Sequence, residues 1–303
     1  MKKVILVGGA SFIGLNLIEK LLSNSCKVFV YGRTEPNISS SNLIFIKGEL
    51  HEIAEKLAFL SPEKIHDAIY LVNTVPVNGS IDNYEQEISK NKTALTSLFS
   101  IADRVVFLSS GGRVYKDSKS PHKENDKLAP ICAYGKSKVE LEKYTQSEST
   151  RLGKQFLVVR PANPYGKYQN IKGSQGLIAV LLGRIKNSQS IEVWGTGNEV
   201  RDYIYIDDFI NLFIKLLEAK NLPFTTYNIG SGVGLSTLDI IKVIDSELKG
   251  HTNYKISYIK PQSPLIESNI LDVSRLNSAV TVNKQTSLRD GVRYLISELG
   301  IRA

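Results

Sequence analysis

Two residues near the middle of this chain have the types and the spacing for acid/base work. Tyr134 and Lys138 stand four apart in AYGKSKVELEKY, a stretch with helical period, so both side chains fall on one helix face. An ammonium beside a phenol favours the phenolate and draws the tyrosine pKa toward neutrality. A phenol so tuned exchanges a proton with a hydroxyl while a hydride moves to or from a nicotinamide. Alone the pattern is weak, because a surface Tyr and Lys at this spacing arise far more often by chance. The N-terminus gives it weight. Residues 2–7 read as a short buried strand, Gly8-Gly9-Ala10-Ser11-Phe12-Ile13-Gly14 follows at once, and residues 15–22 have the period of an amphipathic helix. Glycines let the backbone approach a pyrophosphate, and the free N–H groups of the first helical turn point at it. The bland alternative is a tight turn in an ordinary α/β protein.

The elements that must position these residues follow from periodicity. Strand-like runs at 26–31, 43–47, 67–72, 104–109 and 156–160 alternate with helical patterns, among them 81–102 and 134–148. That alternation predicts an α/β fold with a parallel sheet and helices on both faces. After Arg160 the stretch PANPYGKYQNIKGSQG is rich in Gly, Pro and Asn and reads as a loop over the open end of the sheet. Beyond it come a short strand at 191–193, a helix opening at Asp207-Asp208, a strand at 227–229, and a helix in LSTLDIIKVI with Ser236 as N-cap and Asp239 three residues later. Residues 1–165 are expected to form the dinucleotide-binding domain. Residues 166–303 are expected to be mostly a substrate-binding lobe interleaved with late elements of the main sheet.

Composition narrows the class. The chain has 303 residues, 42% hydrophobic and 22% charged, enough for a full core, and a formal charge of +8. The basic residues are scattered, so an anionic small ligand accounts for the balance more simply than nucleic acid does. The two cysteines, Cys26 and Cys132, are far apart and in no metal-like spacing, which fits a reducing compartment and no metal. MKKVILVGGA breaks into glycines too soon for a secretory leader, and no stretch is apolar enough to span a bilayer. A soluble cytoplasmic protein is expected.

The chain resembles the extended short-chain dehydrogenase/reductase superfamily, in its nucleotide-sugar epimerase/dehydratase branch, typified by UDP-glucose 4-epimerase. The resemblance runs along nearly the whole chain. It rests on VGGASFIG, Asn91 in the helix before the fifth strand, VVFLSSGGRVY, YGKSK, VVRPANPYG, WGTGNEVRDYIYIDD, YNIGSG and ILDVSR, in that order. It implies a Rossmann-type doubly wound parallel sheet with a smaller C-terminal substrate-binding α/β lobe, and a homodimer. Tyr134 would be the general acid/base, and Lys138 would lower its pKa and hydrogen-bond the nicotinamide ribose. Gly8, Ser11, Phe12, Ile13 and Gly14 would form the pyrophosphate turn. Asn91 would orient groups near the lysine. Glu49, followed by Leu50, stands where the family commonly has an Asp near the adenine. Asn163 would face the diphosphate of a nucleotide-diphosphate sugar, and Arg201 would pair with it, since Arg grips phosphate bidentately.

Three departures matter. Ser11 replaces the middle glycine of the family's turn. Gly111 stands where the family has its catalytic Ser or Thr, which leaves Ser110 as the nearest hydroxyl. The stretch KPQSPLIESNILD offers Lys260 and Gln262 where the family often has an Arg for the diphosphate.

Cofactor choice turns on the end of the second strand, where an acidic residue suits NAD and an Arg suits NADP. Tyr31 and Gly32 are not acidic and Arg33 follows, which favours NADP, with NAD as the alternative. The reading is therefore an oxidoreductase that reduces a 4-keto nucleotide-linked hexose with NADPH. The alternative is an NAD-dependent 4-epimerase. A dehydratase would need carboxylates that GGRVY lacks. A non-catalytic dinucleotide sensor is the third reading, kept open by Gly111.

Overall fold

The computed structural model describes residues 1–60, 62–77, 82–116, 120–249, 254–261 and 265–301. The chain divides into two compact units. Unit 1 comprises Met1–Lys116, Lys127–Arg160 and Lys220–Tyr227; unit 2 comprises Asp117–Asp126, Pro161–Ala219 and Asn228–Ala303. In chain order the elements are β1 (Lys3–Val7), α1 (Phe12–Ser23), β2 (Lys27–Gly32), β3 (Leu43–Lys47), α2 (Ile53–Leu57), β4 (Ile65–Tyr70), α3 (Tyr84–Ile101), β5 (Ala102–Leu108), α4 (Gly111–Val114), α5 (Ala133–Leu152) and β6 (Gln155–Pro161). They continue with β7 (Asn163–Tyr165), α6 (Leu177–Lys186), β8 (Ile191–Trp194), β9 (Val200–Tyr205), α7 (Ile206–Glu218), β10 (Thr226–Ile229), β11 (Gly234–Ser236), α8 (Thr237–Glu247), β12 (Ile256–Ile259), β13 (Ser268–Asn269), α9 (Ser274–Ala279) and α10 (Leu288–Glu298).

The main sheet has the order β10-β6-β5-β4-β1-β2-β3. β1 pairs in parallel with β2 and β4, β2 with β3, β4 with β5, and β5 with β6. Val4, Ile5, Leu6 and Val7 are all buried, as a parallel strand covered on both faces requires. Strand order reverses at β1, and open parallel sheets bind ligands at the carboxyl ends of their strands beside such a reversal. The glycine turn leaves β1 at that point.

Two expected boundaries move. β4 stops at Tyr70 rather than at 72, because its partner β1 ends at Val7 and the last pair in register is Val7 with Tyr70. The helix expected over 81–102 runs Tyr84–Ile101; Ala102 is already extended and opens β5, and residue 81 lies outside the described residues. α5 is capped by Cys132, whose Sγ accepts from Gly135 N at 3.4 Å, and ends at Gly153 in the left-handed region. Its buried face carries Ser137, Lys138, Glu142 and Thr145, so this helix packs through polar groups that need partners.

In unit 2, β9 is the organising strand. It pairs antiparallel with β11 and in parallel with β13 and β7. The stretch after Arg160, expected as loop, therefore begins with a strand. β7 forms because β9 supplies the partner, a contact that local composition does not reveal. The capping box of α8 is present: Asp239 N donates to Ser236 Oγ, and Ser236 N to Asp239 Oδ2, both at 3.1 Å. Unit 2 also takes in a segment from the first half of the chain. His122 bridges Leu271 in parallel and donates its N–H to Ile270 O at 2.8 Å. No helix among the described residues is long and apolar enough to cross a membrane.

Candidate active site

The anion site begins where β1 ends. Gly8 takes a φ of +85°, which an L side chain resists, and donates its N–H to Tyr31 O at 2.9 Å. Gly14 is needed for space: a Cβ there would lie 2.3 Å from the Gly9 carbonyl oxygen, so α1 packs directly on the turn. Ser11 is tolerated because its φ of −78° and ψ of 166° are ordinary extended backbone. Its hydroxyl caps α1, accepting from Gly14 N at 3.3 Å. The N–H groups of Phe12 and Ile13 have no protein acceptor among the described residues. Two free donors at the positive end of a helix, with backbone in place of side chains in front of them, fit a pyrophosphate.

At the end of β2, Tyr31 turns into the core and its hydroxyl donates to Glu49 O at 2.5 Å. Gly32 faces open space, with nothing within 4 Å of where a Cβ would stand. Arg33 is exposed and has no protein partner among the described residues. Glu49 is exposed, and its N–H donates to Glu52 Oε2 at 2.7 Å, which fixes the turn into the short helix starting at Leu50. Asn91 is buried on α3. Its Oδ1 accepts from the Tyr70 hydroxyl at 2.6 Å, and its Nδ2 donates to Thr74 Oγ1 at 2.7 Å and to Glu87 O at 2.6 Å. Its amide ties α3 to the end of β4 and the segment behind it, and Lys138 is not among its partners.

Tyr134 and Lys138 lie on the first turns of α5. Lys138 Nζ donates to Leu108 O at 2.9 Å and sits 5.0 Å from the Phe107 ring centroid and 5.7 Å from that of Tyr134. Burial pushes the Lys138 ammonium down to about 8, while the Glu142 carboxylate holds it up. Burial pushes the Tyr134 phenol up; the Ser110 hydroxyl, hydrogen-bonded to it, and the charge of Arg113 draw it down. The expectation that Lys138 brings Tyr134 toward neutrality is thereby corrected. Burial outweighs every downward influence on the phenol, and the leading ones come from Ser110 and Arg113.

The two serines at the end of β5 point to different partners, as alternation along an extended chain requires. Ser110 meets Tyr134, whereas Ser109, buried, donates its hydroxyl to the Glu142 carboxylate. Ser110→Ala is therefore expected to lower turnover by roughly tenfold to a hundredfold, the scale of one positioned polar group. Ser109→Ala is expected to do much less. Steady-state kinetics of the two variants check this, and a larger loss from Ser109→Ala would sink it.

Three residues around this pair carry weak sequence signals. Arg113 stands in GGRVY, where nothing in the local pattern marks its charge as reaching Tyr134. Glu142 had a signal, since it lies four residues after Lys138 and so shares its buried helix face. Arg160 ends an apolar strand run with a charge, which needs a partner when buried.

In unit 2, Asn163 on β7 is the register partner of Tyr203 on β9, and Arg201 lies two residues before Tyr203. Residues two apart on a strand share a face, so Asn163 and Arg201 project from one side of the β7–β9 pair. Asn163 Nδ2 donates to Asp202 O at 2.7 Å, and Arg201 Nη1 donates to Val200 O at 2.7 Å. The carboxylates next to Arg201 in sequence are engaged elsewhere. Asp202 accepts from Ser231 N, Ser231 Oγ and Gly232 N at 2.9, 2.7 and 3.1 Å. Glu199 accepts from Thr196 N at 3.2 Å. Lys260 is exposed, and Gln262 lies outside the described residues.

A glycine turn at the switch point of a parallel sheet, with half-buried Tyr134 and buried Lys138 together on α5, defines a dinucleotide-dependent enzyme of the extended short-chain dehydrogenase/reductase type. The chain belongs to the NAD dependent epimerase/dehydratase family, whose model matches residues 4–230. It is 30% identical to a dTDP-4-dehydro-6-deoxyglucose reductase of Escherichia coli, over 98% of this chain and 97% of that protein. It is 28% identical to a putative UDP-glucose 4-epimerase of Methanocaldococcus jannaschii, over 97% of each. The crystal structure of UDP-glucose 4-epimerase from Thermotoga maritima with UDP-glucose shares the fold, with a TM-score of 0.88, 23% identity and 98% of each chain covered.

Proposed function

We propose that this protein reduces a 4-keto group on a nucleotide-linked hexose with NADPH. The observation that carries the reading is the end of β2, where Gly32 leaves open space and Arg33 presents a guanidinium without a partner among the described residues, in place of an acidic side chain. A guanidinium there suits the 2′-phosphate of NADP, and Tyr31 and Gly32, the last residues of β2, carry no carboxylate for the free ribose hydroxyls of NAD. The similarity to a dTDP-4-dehydro-6-deoxyglucose reductase supports the same reading.

Each residue then has a task. The N–H groups of Phe12 and Ile13, with Gly8, Ser11 and Gly14, hold the pyrophosphate. Arg33 reads the ribose phosphate, and Glu49 and Leu50 border the adenine. Asn91 keeps the segment after β4 in place. Lys138 holds the nicotinamide ribose and keeps positive charge beside the phenol. Asn163 and Arg201 hold the diphosphate of the sugar nucleotide. The dinucleotide supplies the hydride. Tyr134 gives its proton to the oxygen that becomes a hydroxyl, and the Ser110 hydroxyl stabilises the charge left on the phenol. The second reading, an NAD-dependent 4-epimerase running the same proton transfer in both directions, is supported by the similarity to the Methanocaldococcus jannaschii protein. A homodimer is proposed on the family resemblance and is read by light scattering.

The test is the purified protein with UDP- and dTDP-linked hexoses and their 4-keto forms. NADPH consumption by a protein purified free of cofactor supports the reductase. Tightly bound NAD with interconversion of 4-epimers overturns it in favour of the epimerase. Turnover of no sugar nucleotide overturns both. Arg33→Ala is expected to weaken NADPH binding by at least about tenfold, the scale of one charge-assisted contact, and NADH binding much less. Equal loss for the two, read by fluorescence titration, removes Arg33 from the ribose phosphate.

A further inference from the structure

Lys138 and Glu142 are opposite charges one turn apart on α5, both nearly fully buried. At that spacing, away from water, such a pair would be expected to close into a salt bridge. It does not: the hydrogen bond of Lys138 Nζ goes to Leu108 O at 2.9 Å. Glu142 is already saturated. Its Oε1 accepts from Arg160 Nε at 3.0 Å and from the Ser109 hydroxyl, and its Oε2 accepts from Arg160 Nη2 at 2.6 Å. Arg160 is 4% exposed, donates through Nη1 to the Tyr115 hydroxyl at 3.0 Å, and stacks 5.1 Å from that ring. A planar two-pronged donor covers both oxygens of a carboxylate and cancels most of its field.

We infer that Arg160 is a positioning residue for the acid/base pair: by occupying both oxygens of Glu142 it denies that carboxylate to Lys138 and leaves the lysine beside Tyr134. The consequence for catalysis rests on the proposed roles of Tyr134 and Lys138. Without the guanidinium, Glu142 becomes an uncompensated buried charge, and Lys138, one turn away on α5 and already within its field, is a cation it can draw. The ammonium then swings one turn down α5, away from the phenol, and a displacement of that size costs about a hundredfold in rate. Lys138 meets Leu108 O and the Phe107 and Tyr134 rings and feels the charge of Glu142. Glu142 in turn is faced by Ser109 and Arg160, and Arg160 by Tyr115; Ser110 and Arg113 face Tyr134.

The test compares wild type, Arg160→Met and the double variant Arg160→Met/Glu142→Met, each as the full chain. One readout is the titration of Lys138 by the NMR signal of its 13C-labelled side chain, assigned by its loss in Lys138→Met. Capture by Glu142 keeps the lysine charged, so its titration in Arg160→Met is expected to move up by at least about one pH unit. In the double variant no carboxylate remains, and it is expected at or below the wild-type value. The other readout is turnover, expected to fall by about a hundredfold in Arg160→Met and to recover to within about fivefold in the double variant. An unmoved titration in Arg160→Met overturns the inference, and so does a double variant as inactive as the single one, because either result marks a purely structural role. Should Arg160→Met not fold, the double variant, which leaves no carboxylate without its guanidinium, carries the test: Lys138 titrating above wild type overturns it. The titration needs no substrate, so it stands or falls apart from the proposed function. If instead Lys138→Met turned over at the wild-type rate, the functional reading would fail while the titration result stood.

Discussion

Tyr134→Phe is expected to lower turnover by roughly 10²- to 10⁴-fold, the scale of a lost general acid, while leaving dinucleotide binding close to wild type. The phenol oxygen is the group that Ser110 bonds and that the charge of Arg113 reaches. The variant removes that oxygen and keeps the ring against the core. The loss should fall on kcat rather than on KM, because the proton moves only in the chemical step. Since burial pushes the phenol up, the protonated form prevails at neutral pH, which suits a group that donates a proton to a carbonyl being reduced. Steady-state kinetics with the active sugar nucleotide, together with fluorescence titration of NADPH, provide the check. Near-wild-type turnover removes Tyr134 from the chemistry.

Lys138→Met is expected to be inactive and more stable at once. Turnover should fall by roughly 10²- to 10³-fold, since the variant removes a fixed ammonium held beside the Tyr134 ring. Stability should rise because Lys138 is charged where burial disfavours charge, with its pKa pushed down to about 8. The sign follows from proton counts. Below pH 8 both folded and unfolded lysine are protonated and the penalty is complete. From pH 8 to about 10.4 the unfolded chain holds a proton that the folded chain has released, so stability rises with pH. Across that window the residue returns up to about 3 kcal/mol to the wild type. Lys138→Met should therefore melt above wild type at pH 7, and the gap should close as the pH is raised toward 10. A variant that melts below wild type at every pH would show that the bond to Leu108 O outweighs the burial of charge.

What the sequence determined by itself is what short-range geometry determines. The turn from Gly8 to Gly14 is a local object: a positive φ at Gly8, a missing Cβ at Gly14 and a capping hydroxyl at Ser11 are all met within seven residues. The Ser236/Asp239 box and the shared face of Tyr134 and Lys138 are set by three- and four-residue spacings. The alternation of strand and helix was enough to expect the parallel sheet. The strength of the family resemblance came from many such local motifs in one order.

Tertiary structure decided everything that depends on a distant partner. β7 is a strand only because β9 lies beside it. The ends of β4 follow from where β1 stops. Residues 120–126 fall in unit 2, where His122 pairs with Leu271, although they precede α5 in the chain. The direction of the Tyr134 pKa could not come from spacing, since burial, which spacing does not report, is its largest cause. The same holds for Lys138. An i to i+4 rule pairs it with Glu142, and it does not pair because Arg160, eighteen positions beyond Glu142, has taken both carboxylate oxygens. A buried charge is satisfied by whichever group the fold brings within hydrogen-bond distance, and that choice is made across the sheet, not along the chain.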